Sequence, residues 1–220
     1  MADEKRTGIQ ITRTPTQKEV SIVGGGIKIA ASQKPIAANF AVRSGWIYVL
    51  LDSSGSMRKG QKLDQAKTGI IEFARDAFKK GYRIGFIRFS DEAEILAEPT
   101  ADLDTLQNMI KGLKAVGSTN MTAAIKAAHI KLRDLSGTKA IVIATDGMPD
   151  NVKSSLEAAQ RAKADGIDII SIGTDDADKE YLKKLASRTE LSSKVSSDKF
   201  AQAITDASLL LTSPKSLQTK

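Results

Sequence analysis

The stretch "YVLLDSSGSM" (residues 48–57) runs an apolar segment into one carboxylate, three hydroxyls and a glycine. Two further loops carry the same chemistry, "GSTN" at residues 117–120 and "TDG" at residues 145–147. Asp52, Ser54 and Ser56 alternate, so one extended turn can point three oxygens the same way. Thr119 would join from the second loop and Asp146 from the third. Such a shell of hydroxyls, carboxylates and water suits Mg²⁺, which takes six oxygens in near-octahedral geometry, with Mn²⁺ or Ca²⁺ as the other candidates. Two carboxylates and three neutral hydroxyls leave a divalent ion incompletely neutralised. The ion keeps affinity for one more anion, which a Glu or Asp of a partner protein could supply.

Composition narrows the alternatives. The 220 residues, 41% of them apolar, suffice for one sizeable domain with tails. With no Cys and a single histidine, His129, disulfides and thiolate sites are excluded, and a zinc site or a His-dependent triad is hard to assemble. Any metal must be held by oxygen. The opening "MADEKRTGIQITRT" lacks the apolar core of a secretory signal, and no apolar run approaches the roughly 20 residues of a membrane-spanning helix. A cytoplasmic location without membrane association is the expectation. The net charge of +7 permits attraction to acidic proteins, nucleic acid or anionic surfaces without choosing among them.

The loops need a frame. "WIYVLL", "RIGFIRF", "KAIVIAT" and "IDIISIG" are near-continuously apolar, as strands of a parallel sheet covered on both faces should be, and "AEILAE" reads as an edge strand. Between them, stripes of helical period run through Leu63, Ala66, Ile70, Phe73 and Ala77, through Ile125, Ala128, Leu132 and Leu135, and through three later segments around Ala159, Leu182 and Ile204. The last stripe extends over Ala207 and Leu211, with Leu209 to Leu211 expected to dock the final helix into the core. The alternation predicts an α/β, Rossmann-like, doubly wound and mostly parallel sheet with one antiparallel edge strand and helices on both faces. Ligands of such folds sit beyond the carboxyl ends of the strands, where Asp52 and Asp146 fall. Residues 1–44 read as a basic arm with a short hairpin or added edge strand at "VSIVGGGIKIAA", residues 45–212 as the domain, and residues 213–220 as a tail.

The three loops, in this order and on these elements, resemble the metal-ion-dependent adhesion site of von Willebrand factor A domains, and the similarity extends over residues 45–211. The resemblance implies a metal at the upper edge of the sheet, held directly by Ser54, Ser56 and Thr119, with Asp52 and Asp146 direct or water-bridged. It implies a Mg²⁺-dependent protein–protein interaction module rather than an enzyme. The absence of Cys fits intracellular members, which work beside AAA+ ATPases or kinase and phosphatase systems in regulatory, stress or defence complexes.

Blander readings stand beside these. Asp52 with Ser54 suits an Asx-turn, Ser118 or Thr119 an N-cap, and Asp150 and Asn151 caps for the next helix, with a rim of the ligand surface as the alternative for this last pair. Asp175, Asp176 and Asp178 suit a helix N-terminus without any metal. His129 reads as structural, and Lys79, Lys80, Lys183 and Lys184 as solvated. A Mg²⁺-dependent phosphohydrolase would want a second carboxylate two residues after the first, where Ser54 stands. A nucleic-acid reading would rest on Lys5, Arg6, Arg13, Lys18, Lys28, Lys34, Lys215 and Lys220. Thr12, Thr14 and Thr16 offer phosphate acceptors on an arm that reads more simply as a linker.

Overall fold

A computed structural model describes residues 20–23, 26–29, 45–212 and 214. The chain divides into two compact units, residues 1–40 and 41–220. In the first, β1 (Val20–Val23) and β2 (Gly26–Ile29) pair antiparallel, from Val20 with Ile29 to Val23 with Gly26. Among the described residues they form a two-stranded sheet, with pairing of the kind a hairpin makes. The threonines at 12, 14 and 16 and all the basic arm residues except Lys28 lie outside the described residues.

The second unit is built on six strands: β3 (Gly45–Asp52), β4 (Tyr82–Phe89), β5 (Ala93–Thr100), β6 (Thr138–Thr145), β7 (Ile167–Thr174) and β8 (Ser192–Val195). Their order is β5-β4-β3-β6-β7-β8, parallel except for the β4–β5 pair. The order reverses at β3, which is flanked by β4 on one side and β6 on the other. That is the switch point at which an open α/β sheet leaves a crevice beyond its strand ends.

Both faces of the sheet are covered, which is why its four inner strands, β3, β4, β6 and β7, are apolar over most of their length. Ile47, Val49 and Leu51 face one core with α1 (Lys62–Lys79), α2 (Leu103–Lys111) and α6 (Phe200–Asp206), whereas Tyr48 and Leu50 face the other with α3 (Met121–Leu132), α4 (Val152–Ala164) and α5 (Lys179–Leu185). The stripe of α1 is buried as its spacing requires, at Leu63, Ala66, Ile70, Phe73 and Ala77. Gly69 packs directly against α6: a Cβ there would stand 2.5 Å from the Ala201 carbonyl oxygen. Helix propensity favours Ala over Gly by about 1 kcal/mol, but overpacking costs about 1–3 kcal/mol. Gly69→Ala is therefore expected to lower the urea midpoint, and a raised midpoint would show that the two helices can part.

The C-terminal expectation needs correction. Regular α-helix ends at Asp206 and a 3-10 turn follows over Ala207–Leu210, leaving Leu209 75% exposed while Leu211 is buried. The Thr205 hydroxyl donates to the Ala201 carbonyl within the last helical turn, a bond that competes with regular helix. Lys80 is not simply solvated, because its ammonium donates to the Ser208 carbonyl at 2.5 Å and fastens this turn.

Candidate metal centre

β3 delivers Asp52 to the rim fully buried, and the turn after it is pinned on two sides. The Ser53 amide and hydroxyl both donate to the Phe89 carbonyl at the end of β4, at 2.8 and 3.0 Å. On the other side, Val116 N donates to Ser53 O at 2.7 Å and Gly55 N to Gly117 O at 3.0 Å, stitching the first oxygen-rich loop to the second. The Ser54 amide donates to Asp52 Oδ1 at 2.8 Å, so the Asx-turn exists and forms part of the site.

Four of the five expected residues join in one network. The hydroxyls of Ser54 and Ser56 lie 2.9 Å apart, and Ser56 donates to Asp146 Oδ1 at 2.7 Å. Asp52 Oδ2 accepts from Thr145 Oγ1 at 2.6 Å, across the register that sets β3 beside β6. Ser54, Asp52 and Asp146 are buried and Ser56 is exposed, so the cluster opens to solvent at Ser56. Thr119 sits on the adjoining loop, which backbone bonds tie to the cluster, but its hydroxyl makes no hydrogen bond to the other four.

Thr119 is held from the third loop. Asp150 Oδ1 accepts from Thr119 N at 3.0 Å, Asp150 Oδ2 accepts from Ser118 Oγ at 3.0 Å, and Asp150 N donates to Thr119 O at 3.0 Å. Asp150 is thus no helix cap; it clasps the second loop, while Asn151 alone caps α4. The cap of α3 is Asn120, not Ser118 or Thr119. Gly117, at φ 81, allows the loop to pass the Asp91 carboxylate, where a Cβ would collide.

Lys62 was not expected here. It opens α1 after two left-handed residues, Gly60 at φ 61 and Gln61 at φ 59, and its ammonium lies buried 2.7 Å from Asp146 Oδ2 and 3.1 Å from Asp175 Oδ2. The available signal was a lysine at the first turn of a helix, where the macrodipole disfavours positive charge. Asp175 joins through an uncommon backbone conformation for a non-glycine residue, φ 46. Asp178 caps α5, as expected of a carboxylate at a helix start. His129 Nε2 lies 2.5 Å from Asp165 Oδ2, linking α3 to the end of α4.

The electrostatics follow from this packing. Burial pushes the Asp52 carboxyl up to about 6, against bonds from Thr145 and Ser54 that lower it; the nearby Asp146 adds to the rise. Burial by itself would lower the Lys62 ammonium, but the carboxylates of Asp146 and Asp175 outweigh it and hold the pKa above the ordinary lysine value. Among the described residues no three His, Cys, Asp or Glu side chains converge to hold a metal, so the donors are mainly hydroxyls. Neighbouring oxygens around an octahedral ion with bonds of 2.0–2.1 Å stand about 2.9 Å apart. The Ser54–Ser56 and Ser56–Asp146 spacings of 2.9 and 2.7 Å match that edge.

The profile of the von Willebrand factor type A domain matches residues 47–208. The von Willebrand factor A domain-containing protein 3B of Homo sapiens is 33% identical over 150 residues, which cover 65% of this chain and 11% of that protein. This chain therefore spans a small part of the human relative. The vWF domain of the type V pili tip protein Mfa5 from Porphyromonas gingivalis shares the fold with a TM-score of 0.68 at 15% identity, over 77% of this chain and 95% of that one. Proximal thread matrix protein 1 from the mussel byssus, with a zinc-occupied MIDAS motif, does so with a TM-score of 0.64 at 20% identity, over 77% and 46% of the two chains.

Proposed function

The chain belongs to the von Willebrand factor type A domain family, and from that premise we propose that it is a metal-dependent protein–protein interaction module that recruits an acidic residue of a partner. The observation that carries the reading is the hydroxyl pair of Ser54 and Ser56 joined to Asp146 at ligand-edge spacing, open to solvent on the side of Ser56. A divalent cation bound there supplies a Lewis acid that takes a carboxylate oxygen from outside. Ser54, Ser56 and Thr119 would hold it directly, and Asp52 and Asp146 directly or through water. Mg²⁺ suits these hydroxyl and carboxylate oxygens, with Mn²⁺ or Ca²⁺ as the alternatives.

Each surrounding residue has a positioning task. Thr145 and the Ser54 amide engage both oxygens of Asp52, which leaves this carboxylate poorly placed to attack a phosphate. With Ser54 where a phosphohydrolase would want an acid, binding is the better reading than catalysis. Asp150 holds Thr119 in place through its backbone. Because outer residues of this kind typically affect metal affinity 10- to 100-fold, Asp150→Ala is expected to weaken Mg²⁺ binding by about tenfold in isothermal titration while leaving the fold intact. An unchanged affinity would remove Thr119 from the ligand set.

We place the module in the cytoplasm, in a regulatory, stress or defence complex with an AAA+ ATPase or a kinase and phosphatase system. The mussel protein of the same fold, whose MIDAS motif holds zinc, supports metal binding as the reading of this site. The test is titration of the full chain with Mg²⁺, then with an acidic peptide in Mg²⁺ and in chelator. The reading expects peptide binding in Mg²⁺ that chelator and Asp52→Ala abolish. Peptide affinity indifferent to both would overturn it.

A further inference from the structure

Lys62 is the only buried cationic side chain among the described residues, and its ammonium lies inside the candidate centre. Asp146 divides its two oxygens: Oδ1 accepts from Ser56, on the side of the hydroxyl pair, and Oδ2 is taken by the ammonium. Asp175, 3.1 Å away and held at φ 46, provides the second anchor. A lysine at a helix start works against the macrodipole, and a non-glycine residue at positive φ is uncommon. Both features converge on one ion cluster next to the metal-binding oxygens.

We propose that Lys62 is a fixed internal counter-ion: it neutralises Asp146 when no metal is bound, and it lowers the affinity of the centre for divalent cations until an outside carboxylate adds its charge. This rests on the reading above and deepens it. A buried Asp146 without a partner charge would be strongly destabilising, so the metal-free fold depends on the ammonium. When a cation occupies the hydroxyl pair, the same ammonium is a like charge nearby in a poorly screened environment. Metal alone is then held weakly. A carboxylate from a partner restores the balance, so metal and acidic ligand should bind cooperatively, each strengthening the other by the same factor.

The experiment uses Mn²⁺ as the probe and the full chain, with bound ion counted from the paramagnetic resonance signal of free Mn²⁺ and with thermal melts in chelator and in Mn²⁺. For Lys62→Met the expected result is Mn²⁺ binding tighter by about tenfold or more, a lower melting temperature in chelator, and a larger rise on adding Mn²⁺. Lys62→Arg should retain the weak binding of the native chain. If Lys62→Met does not fold in chelator, Lys62→Gln takes its place, since a neutral amide can still donate to Asp146. Native chain that binds Mn²⁺ with the same or higher affinity than the neutral variant overturns the inference and leaves the metal-centre reading standing. Uptake by the variant alone supports the inference, since the native ammonium then holds the affinity for metal alone below detection. Uptake by neither overturns both.

Discussion

Asp146→Ala is expected to lower the stability of the metal-free protein by about 3 kcal/mol or more and to abolish divalent binding at once. The stability loss follows from what the substitution strands. Lys62 is buried, and its nearest counter-charge is Asp146 Oδ2 at 2.7 Å; Asp175 at 3.1 Å is partly exposed and screened. Removing one partner of a buried pair leaves an uncompensated charge, which is more damaging than losing a surface pair worth at most about 1 kcal/mol. Ser56 also loses the acceptor of its hydroxyl. Urea unfolding in chelator, followed by fluorescence and circular dichroism, measures the difference. A loss below about 1 kcal/mol would mean that solvent already reaches the Lys62–Asp146 pair and screens it.

Asp52→Asn should separate binding from stability. Divalent affinity is expected to fall by about 100-fold, the upper end of the range for positions that act on a metal through another group. Stability in chelator should move the other way. The folded chain raises the Asp52 carboxyl from 3.8 to about 6, so it holds the proton more tightly folded than unfolded. The ionised form therefore counts against folding fully above pH 6, and that liability fades as the pH falls from 6 toward 3.8. Asparagine never ionises. Relative to the native chain, the variant's melting temperature in chelator should rise as the pH is raised from 4 to 7. A difference independent of pH would show that Asp52 ionises in the fold without penalty.

The strands of the central sheet and most of its helices were legible because burial on both faces leaves uninterrupted apolar runs and clear helical stripes. β8, "SSKV", was not, since a four-residue polar strand at a sheet edge needs no apolar pattern. α2 was missed because it buries only Leu106 and Ile110, although Asp102, which accepts from Asp104 N and Thr105 N, was an available start signal. At the site, Asp52, Ser54, Ser56 and Asp146 were readable as a motif, since one turn and one parallel register suffice to bring them together. Lys62 and Asp175 were not. Their meeting depends on left-handed residues before α1 and after β7, which side-chain periodicity does not encode. Asp150 lies between the two cases: its place close to Asp146 is visible in the sequence, but a cap and a clasp look alike until the partner loop is in view.

The central claim is that the oxygens of Ser54, Ser56 and their neighbours hold a divalent ion. Anomalous diffraction from crystals of the full chain grown in Mn²⁺ tests it most directly. The account expects one strong peak within about 2.3 Å of both the Ser54 and Ser56 hydroxyl oxygens. A map with no peak there, the two hydroxyls still bonded to each other and Ser56 still donating to Asp146, would contradict it.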